Sequence, residues 1–311
     1  MLRKIAFASA LSVITLTSAW TASASAEPLK VVASFSIIGD FATNVGGDRI
    51  ELTTLVGPDG DAHVYEPSPA DAVSMSKADV VLVNGLQFEG FLQRLVEASA
   101  TKASVVELTK GVEPIKMKEE HEHAAEADSD HHNHGDLDPH AFQSVANARI
   151  YVRNIADAFC AADVTNCDIY KANALAYTAK LDAADEEIKT TVAGIPEDKR
   201  TVITSHDAFG YFENAYGLTF LAPEGISTEA EASAADVAAL IMQVRGDKAS
   251  AIFLENITNP RLIEQISSET GVKVGGTLYS DALSKAGGPA TTYIDMMKAN
   301  IGTIKAAISG I

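Results

Sequence analysis

Apolar residues run almost unbroken over 29–35 and 80–83, without the alternation of a half-exposed strand, which predicts strands buried on both faces. Further strands are predicted over 50–56 and 104–108. Apolar positions spaced by three and four predict helices over 37–45, 69–76 and 91–98, the first stopped by Gly46-Gly47. Strands alternating with helices of this length imply a mostly parallel sheet with helices on both faces.

The same order returns after residue 200, together with some of its wording. Ser36-Ile-Ile-Gly-Asp-Phe41 has its counterpart in Asp207-Ala-Phe-Gly-Tyr-Phe212, and Glu66-Pro-Ser-Pro-Ala-Asp71 in Glu231-Ala-Ser-Ala-Ala-Asp236. Val80-Val-Leu-Val-Asn84 likewise matches Ile252-Phe-Leu-Glu-Asn256. The pattern is that of two related α/β lobes, 27–142 and 199–311. Between them, over 143–198, lies a helical connection. In it Tyr170, Ala174, Tyr177, Leu181, Ala184, Ile188 and Val192 form one face of a long helix that ends at Gly194 and Pro196. A helix of about 26 residues spans roughly 39 Å and acts as a rigid strut. At the C-terminus, Ile294, Met297, Ile301, Ile304 and Ile308 form a core-facing stripe.

Residues 1–26 stand apart from this pattern. Arg3 and Lys4 precede an apolar run to about Trp20, and Ala24-Ser-Ala26 supplies a small-x-small cleavage site, so a signal peptide removed after Ala26 is expected. No Cys follows the cleavage point to mark a lipoprotein, and the product expected is an exported periplasmic protein. Its formal charge moves from −18 to −20 when the two basic residues leave, which disfavours nucleic acid and anionic membranes and attracts cations. An oxidising compartment and a C-x6-C spacing favour a local disulfide between Cys160 and Cys167.

Candidate chemistry lies in the histidines. Residues 119–138 hold five of the eight (His121, His123, His131, His132 and His134) with eight carboxylates and no Lys or Arg. Such a tract cannot offset its ordering entropy with apolar burial and reads as a flexible accessory metal-gathering loop. The other three each fall in loop chemistry, His63 after a strand and turn, His140 after Asp138-Pro139, and His206 at the end of a strand predicted over 201–205, where ligands of open α/β sheets bind. Lone loop histidines commonly serve as surface or cap groups. Converging with Asp281, which follows an apparent strand over 272–279, they would form a three-imidazole, one-carboxylate shell suited to Zn²⁺. Mn²⁺ prefers more oxygen ligands. Glu229, Glu231 or water remain alternatives to Asp281.

These residues reach a family resemblance. Val56-Gly-Pro-Asp-Gly-Asp-Ala-His63 with Tyr65-Glu-Pro-Ser-Pro69, Asp138-Pro-His140, Thr204-Ser-His-Asp-Ala-Phe-Gly-Tyr-Phe212 and Gly225-Ile-Ser-Thr-Glu-Ala-Glu231 stand in family order. The chain resembles the periplasmic zinc- and manganese-binding proteins of ABC importers, the zinc-specific ZnuA/AztC-like group above all. The resemblance implies two α/β lobes on a rigid helix, with metal held in the cleft by His63, His140 and His206 and by Asp281 at the carboxylate position. A His-rich insertion before Asp-Pro-His is typical of the zinc branch. The family's Trp and Asp-Pro after that motif are replaced here by Phe142-Gln-Ser.

The expected function is capture of zinc and delivery to an integral-membrane permease with a cytoplasmic ATPase, by a monomer, with a periplasmic zinc chaperone as a further partner. Four protein ligands leave no position for a substrate water, so no enzyme activity is expected. The competing readings are a manganese-binding importer component and an exported zinc-dependent hydrolase with Glu66 or Asp207 as base, although no His-Glu-x-x-His run or nucleophile elbow is present.

Overall fold

The computed structural model describes residues 27–116, 137–230, 232–247 and 249–310. The expected signal peptide, the five clustered histidines and Glu231 lie outside them.

In the first lobe, strands β1 (Leu29–Phe35), β2 (Ile50–Val56), β3 (Val80–Val83) and β4 (Ser104–Glu107) alternate with helices α1 (Ser36–Gly46), α2 (Pro69–Lys77) and α3 (Leu92–Ser99). The sheet is parallel throughout, in the order β2-β1-β3-β4, with Val32 opposite Thr53 on one side and Val81 on the other. Central β3 is buried at every position, which is why it carries four consecutive apolar residues. Pro69 starts α2 with its φ already set. Ahead of it, Asp71 accepts from the Ser68 backbone N–H and hydroxyl at 2.6 and 2.8 Å.

The second lobe repeats this plan. Strands β5 (Thr201–Ile203), β6 (Thr219–Leu221), β7 (Ala251–Glu255) and β8 (Val274–Leu278) form a parallel sheet in the order β6-β5-β7-β8, the same topology as the first. Between the lobes, helices α4 (Val145–Ala162) and α5 (Cys167–Ala193) pack antiparallel, and a Cys160–Cys167 disulfide joins them at their turn. In the second lobe α6 (Gly210–Tyr216), α7 (Ala234–Asp247) and α8 (Arg261–Thr270) precede α9 (Tyr293–Ser309), which packs on both α5 and β8.

The 27 residues of α5 span about 40 Å. All seven of its expected face residues are buried, and Asp185 is buried with them, paired to the Tyr216 hydroxyl at 2.9 Å. Asp40 of α1 binds this framework together by accepting from the Tyr177 hydroxyl (3.1 Å) and the Tyr293 backbone N–H (3.0 Å). One apolar cluster therefore runs through the first lobe, both connecting helices and α9, and a smaller one sits between α7, α8 and the second sheet.

Three boundaries differ from expectation. The loop expected over 119–138 ends earlier, because Leu137 pairs with Lys116 in an antiparallel bridge and the Asp138 N–H donates to the Ile115 carbonyl at 3.0 Å. Strand β5 stops at Ile203 rather than 205, because the N–H groups of Ser205 and His206 turn to the Glu255 carboxylate. The stripe on α9 is rotated. Tyr293, Met296, Met297, Asn300, Ile301 and Ile304 are buried, while Ile294 and Ile308 lie at its edge.

Candidate metal centre

Each of the three histidines outside the acidic tract sits where a backbone turn is held by a nearby acid. His63 follows β2, and its N–H donates to Asp61 Oδ1 at 2.9 Å. His140 lies two residues after Asp138, whose Oδ1 accepts from the His140 N–H (2.9 Å) and lies 2.8 Å from its Nδ1. His206 follows β5. Glu255, at the end of β7, accepts from its N–H at 2.9 Å and places Oε2 2.7 Å from its Nδ1. Asp281 follows β8 on a segment tied to the other lobe. Gln143 donates its amide N–H to the Ser280 carbonyl, and Ser36 Oγ accepts from the Leu283 N–H at 2.9 Å.

The structure brings His63, His140, His206 and Asp281 together, two from each lobe, with one donor atom of each within 4.8 Å of the others. His63 Nε2 lies 3.3 Å from His140 Nε2 and 3.2 Å from Asp281 Oδ2, which is 3.1 Å from His206 Nε2. His140 Nε2 is 3.6 Å from Asp281 Oδ1. A tetrahedron of bonds about 2.0–2.1 Å long has edges of about 3.3 Å, so this spacing matches the shell of a small divalent cation. Asp281 Oδ1 is buried and accepts no hydrogen bond, a group that a cation would satisfy. Among the described residues this is the one such cluster.

His140, His206 and Asp281 are fully buried, and His63 nearly so. The Phe88 ring packs edge-on to His63, 4.7 Å between centroids, and stands 5.6 Å from His140. Burial alone would raise Asp281, but His140 and His206 beside it hold it well below the usual carboxylate range. Burial would lower His140, yet Asp281 and Asp138 overcome it and leave it pushed up to about 9. His206, also against burial, is driven well above its ordinary value by Glu255 and Asp281. His63 goes the other way: burial lowers it and the two neighbouring imidazoles add to that, against Asp281.

Sequence reasoning did not single out Glu255, Phe88 or Gly210. Glu255 had a signal, an acid closing the apolar run Ala251–Glu255. Gly210 faces Asp138, where a Cβ would lie 2.5 Å from Oδ2, so only glycine leaves that acid its place behind His140. Of the alternatives to Asp281, Glu229 lines a cavity at the cleft mouth instead.

A family profile described as "Zinc-uptake complex component A periplasmic" (ZnuA) matches residues 31–307. The manganese-binding lipoprotein MntA of Halalkalibacterium halodurans is 35% identical over 314 residues, with 99% of this chain and 100% of that protein covered. The iron ABC transporter substrate-binding lipoprotein MtsA of Streptococcus pyogenes is 33% identical, with 98% and 96% covered. Among solved structures, the periplasmic zinc binding protein TroA from Treponema pallidum superposes with a TM-score of 0.80 at 28% identity, covering 91% of this chain and 99% of that one. The Mn-bound periplasmic metal binding protein of Candidatus Liberibacter asiaticus gives 0.77 at 31% identity, covering 89% and 98%.

Proposed function

The chain belongs to the ZnuA family of exported, metal-binding solute-binding components of ABC importers, and from that premise we propose that its cargo is zinc, held by His63, His140, His206 and Asp281. The observation that carries the metal choice is the donor set, three imidazole nitrogens and one carboxylate with neighbouring donor atoms 3.1 to 3.3 Å apart, buried from competing water. As the cation binds, the protons on His140 and His206 must leave, and Asp138 and Glu255 keep the two rings aimed inward. The protein then presents its cargo to a membrane permease driven by a cytoplasmic ATPase. We read it as periplasmic and monomeric, with its signal peptide removed after Ala26 and a zinc chaperone as a further partner.

One observation favours manganese as the second reading. The second oxygen of Asp281 is unpartnered, and a bidentate carboxylate would add the oxygen ligand that Mn²⁺ prefers. MntA is named for manganese and MtsA for iron, whereas TroA is named for zinc. Of the two bases a hydrolase could use, Glu66 lines a separate groove with Pro67, Arg94 and Leu95 that contains none of the four clustered residues, which leaves only Asp207 for that reading.

The deciding experiment is metal stoichiometry and chelator competition on wild type and His206→Ala, with Zn²⁺ and Mn²⁺ in parallel. One tight zinc ion per chain, lost in the variant, is expected. Equal zinc affinity in His206→Ala would remove this site. Preferential retention of Mn²⁺ at equal concentrations would replace zinc as the cargo.

A further inference from the structure

Three of the four clustered residues are fully buried, so a cation must reach them past the fourth. A cavity of about 180 Å³ opens beside His63 between the lobes. Its walls are mainly apolar, with Leu86, Phe88 and Pro139 from the first lobe facing Ile226 from the second, and its one carboxylate is Glu229. Glu229 is exposed, and its Oε1 stands opposite Gly90, where a Cβ would come within 3.4 Å of it and 3.8 Å of the His63 carbonyl. The acid thus faces the Gly90 backbone across the cavity wall.

The two walls are held differently. In the first lobe, buried Glu89 accepts from the Ser34 hydroxyl and the Asn84 N–H, both at 2.6 Å, fixing the segment that carries Leu86 and Phe88. The second-lobe wall is tied across the cleft by the Thr228 hydroxyl, which donates to Asp61 Oδ2 at 2.6 Å. The other oxygen of Asp61 holds the His63 N–H.

Resting on the reading that the four-residue cluster holds the cargo, we propose that this vestibule is the cation's path and that Glu229 is a transit ligand, contacting the ion during passage and not in the bound state. A hydrated divalent cation entering a mostly apolar channel loses water before reaching His63, and a carboxylate on the channel wall replaces part of that shell. A group that touches the ion only at the barrier lowers it equally from both sides. Its loss slows binding and release together and leaves the equilibrium unchanged.

The test is stopped-flow association and chelator-driven dissociation of Zn²⁺ on the full chain: wild type, Glu229→Gln, Gly90→Leu to narrow the passage, and Glu66→Gln as a charge-matched control elsewhere. In Glu229→Gln both rate constants are expected to fall together by about tenfold, a size typical of field focusing in a cleft, with Kd unchanged. Gly90→Leu should slow both as well, and Glu66→Gln neither. Rates in Glu229→Gln equal to wild type would overturn the proposal, as would a Kd that weakens through faster release, which would make Glu229 an equilibrium ligand. The function reading is tested separately by His206→Ala. If that variant binds zinc normally, the four-residue site itself fails, whatever Glu229 does.

Discussion

At the scale of single residues, the acids behind the histidines are as informative as the histidines. Asp138 holds the ring Nδ1 and the backbone N–H of His140, and Glu255 accepts from the His206 backbone N–H with its other oxygen 2.7 Å from the ring Nδ1, which directs both rings. Glu255→Gln and Asp138→Asn are each expected to weaken zinc binding by about 10- to 100-fold in chelator competition while leaving one site per chain; unaltered affinity would show that the rings need no such support. The same acids set the pH response. The histidine range near 6–6.5 is the ordinary expectation for loss of metal, but His140 is pushed up to about 9, so zinc affinity should keep rising above pH 7 as its proton leaves more readily. The metal-free protein has the opposite sign. A histidine raised on folding stabilises fully below its unfolded value and loses that contribution as pH climbs through about 9. The melting temperature of chelated protein should therefore drop between pH 7 and 9.5, and a flat profile would contradict the charge arrangement described here.

At the scale of elements, the repeat places the ends of two parallel sheets face to face, and the loops after β2, β5 and β8 deliver His63, His206 and Asp281. The Thr228–Asp61 hydrogen bond ties the loop after β6 to the one carrying His63. Thr228→Val removes that tie with little change in volume, and faster zinc release in dissociation experiments is expected. The disulfide between α4 and α5 closes a short loop at the far end of the helical pair. Reducing it, or making Cys160→Ser with Cys167→Ser, should cost about 2 kcal/mol in denaturant unfolding and leave zinc stoichiometry intact. Strand alternation, the long helix and the repeat were all legible in the sequence because each is a local period of apolar residues. The shortened β5 was not, since it depends on a carboxylate from β7, 50 residues away.

At the scale of the whole molecule, α5 and α9 share one core with the first lobe, and Asp40 ties all three parts through Tyr177 and Tyr293. Burial raises the Asp40 pKa, against those two hydrogen bonds. A frame of this kind makes small movements of loops at the cleft the economical route to release, in place of a wide hinge. Because the four clustered ligands meet only in the folded chain, zinc at about 1,000 times Kd should add up to about 4 kcal/mol of stability, less whatever the acidic tract binds in the unfolded chain, seen as one shifted unfolding transition. Deleting residues 119–136 should leave that shift and the single tight ion unchanged, because the four clustered residues lie outside the segment and Lys116 and Leu137 already pair at its base. Loss of the tight ion in the deletion variant would move the primary site into the acidic tract.

By itself the sequence determined the periodicities: two related α/β units, a strut between them, and three histidines outside an acidic tract in which no core could form. These are properties of neighbouring residues and need no knowledge of what meets across the fold. The tertiary structure decided what lies together. It brought Asp281 to the three imidazoles and left Glu229 at the mouth, although both are carboxylates on second-lobe loops with little local signal to separate them. It also placed Asp138 and Glu255 behind the rings and moved the pKa of His140 and His206 upward. Those outcomes depend on distances of about 3 Å between residues far apart in the chain, and burial multiplies their electrostatic effect.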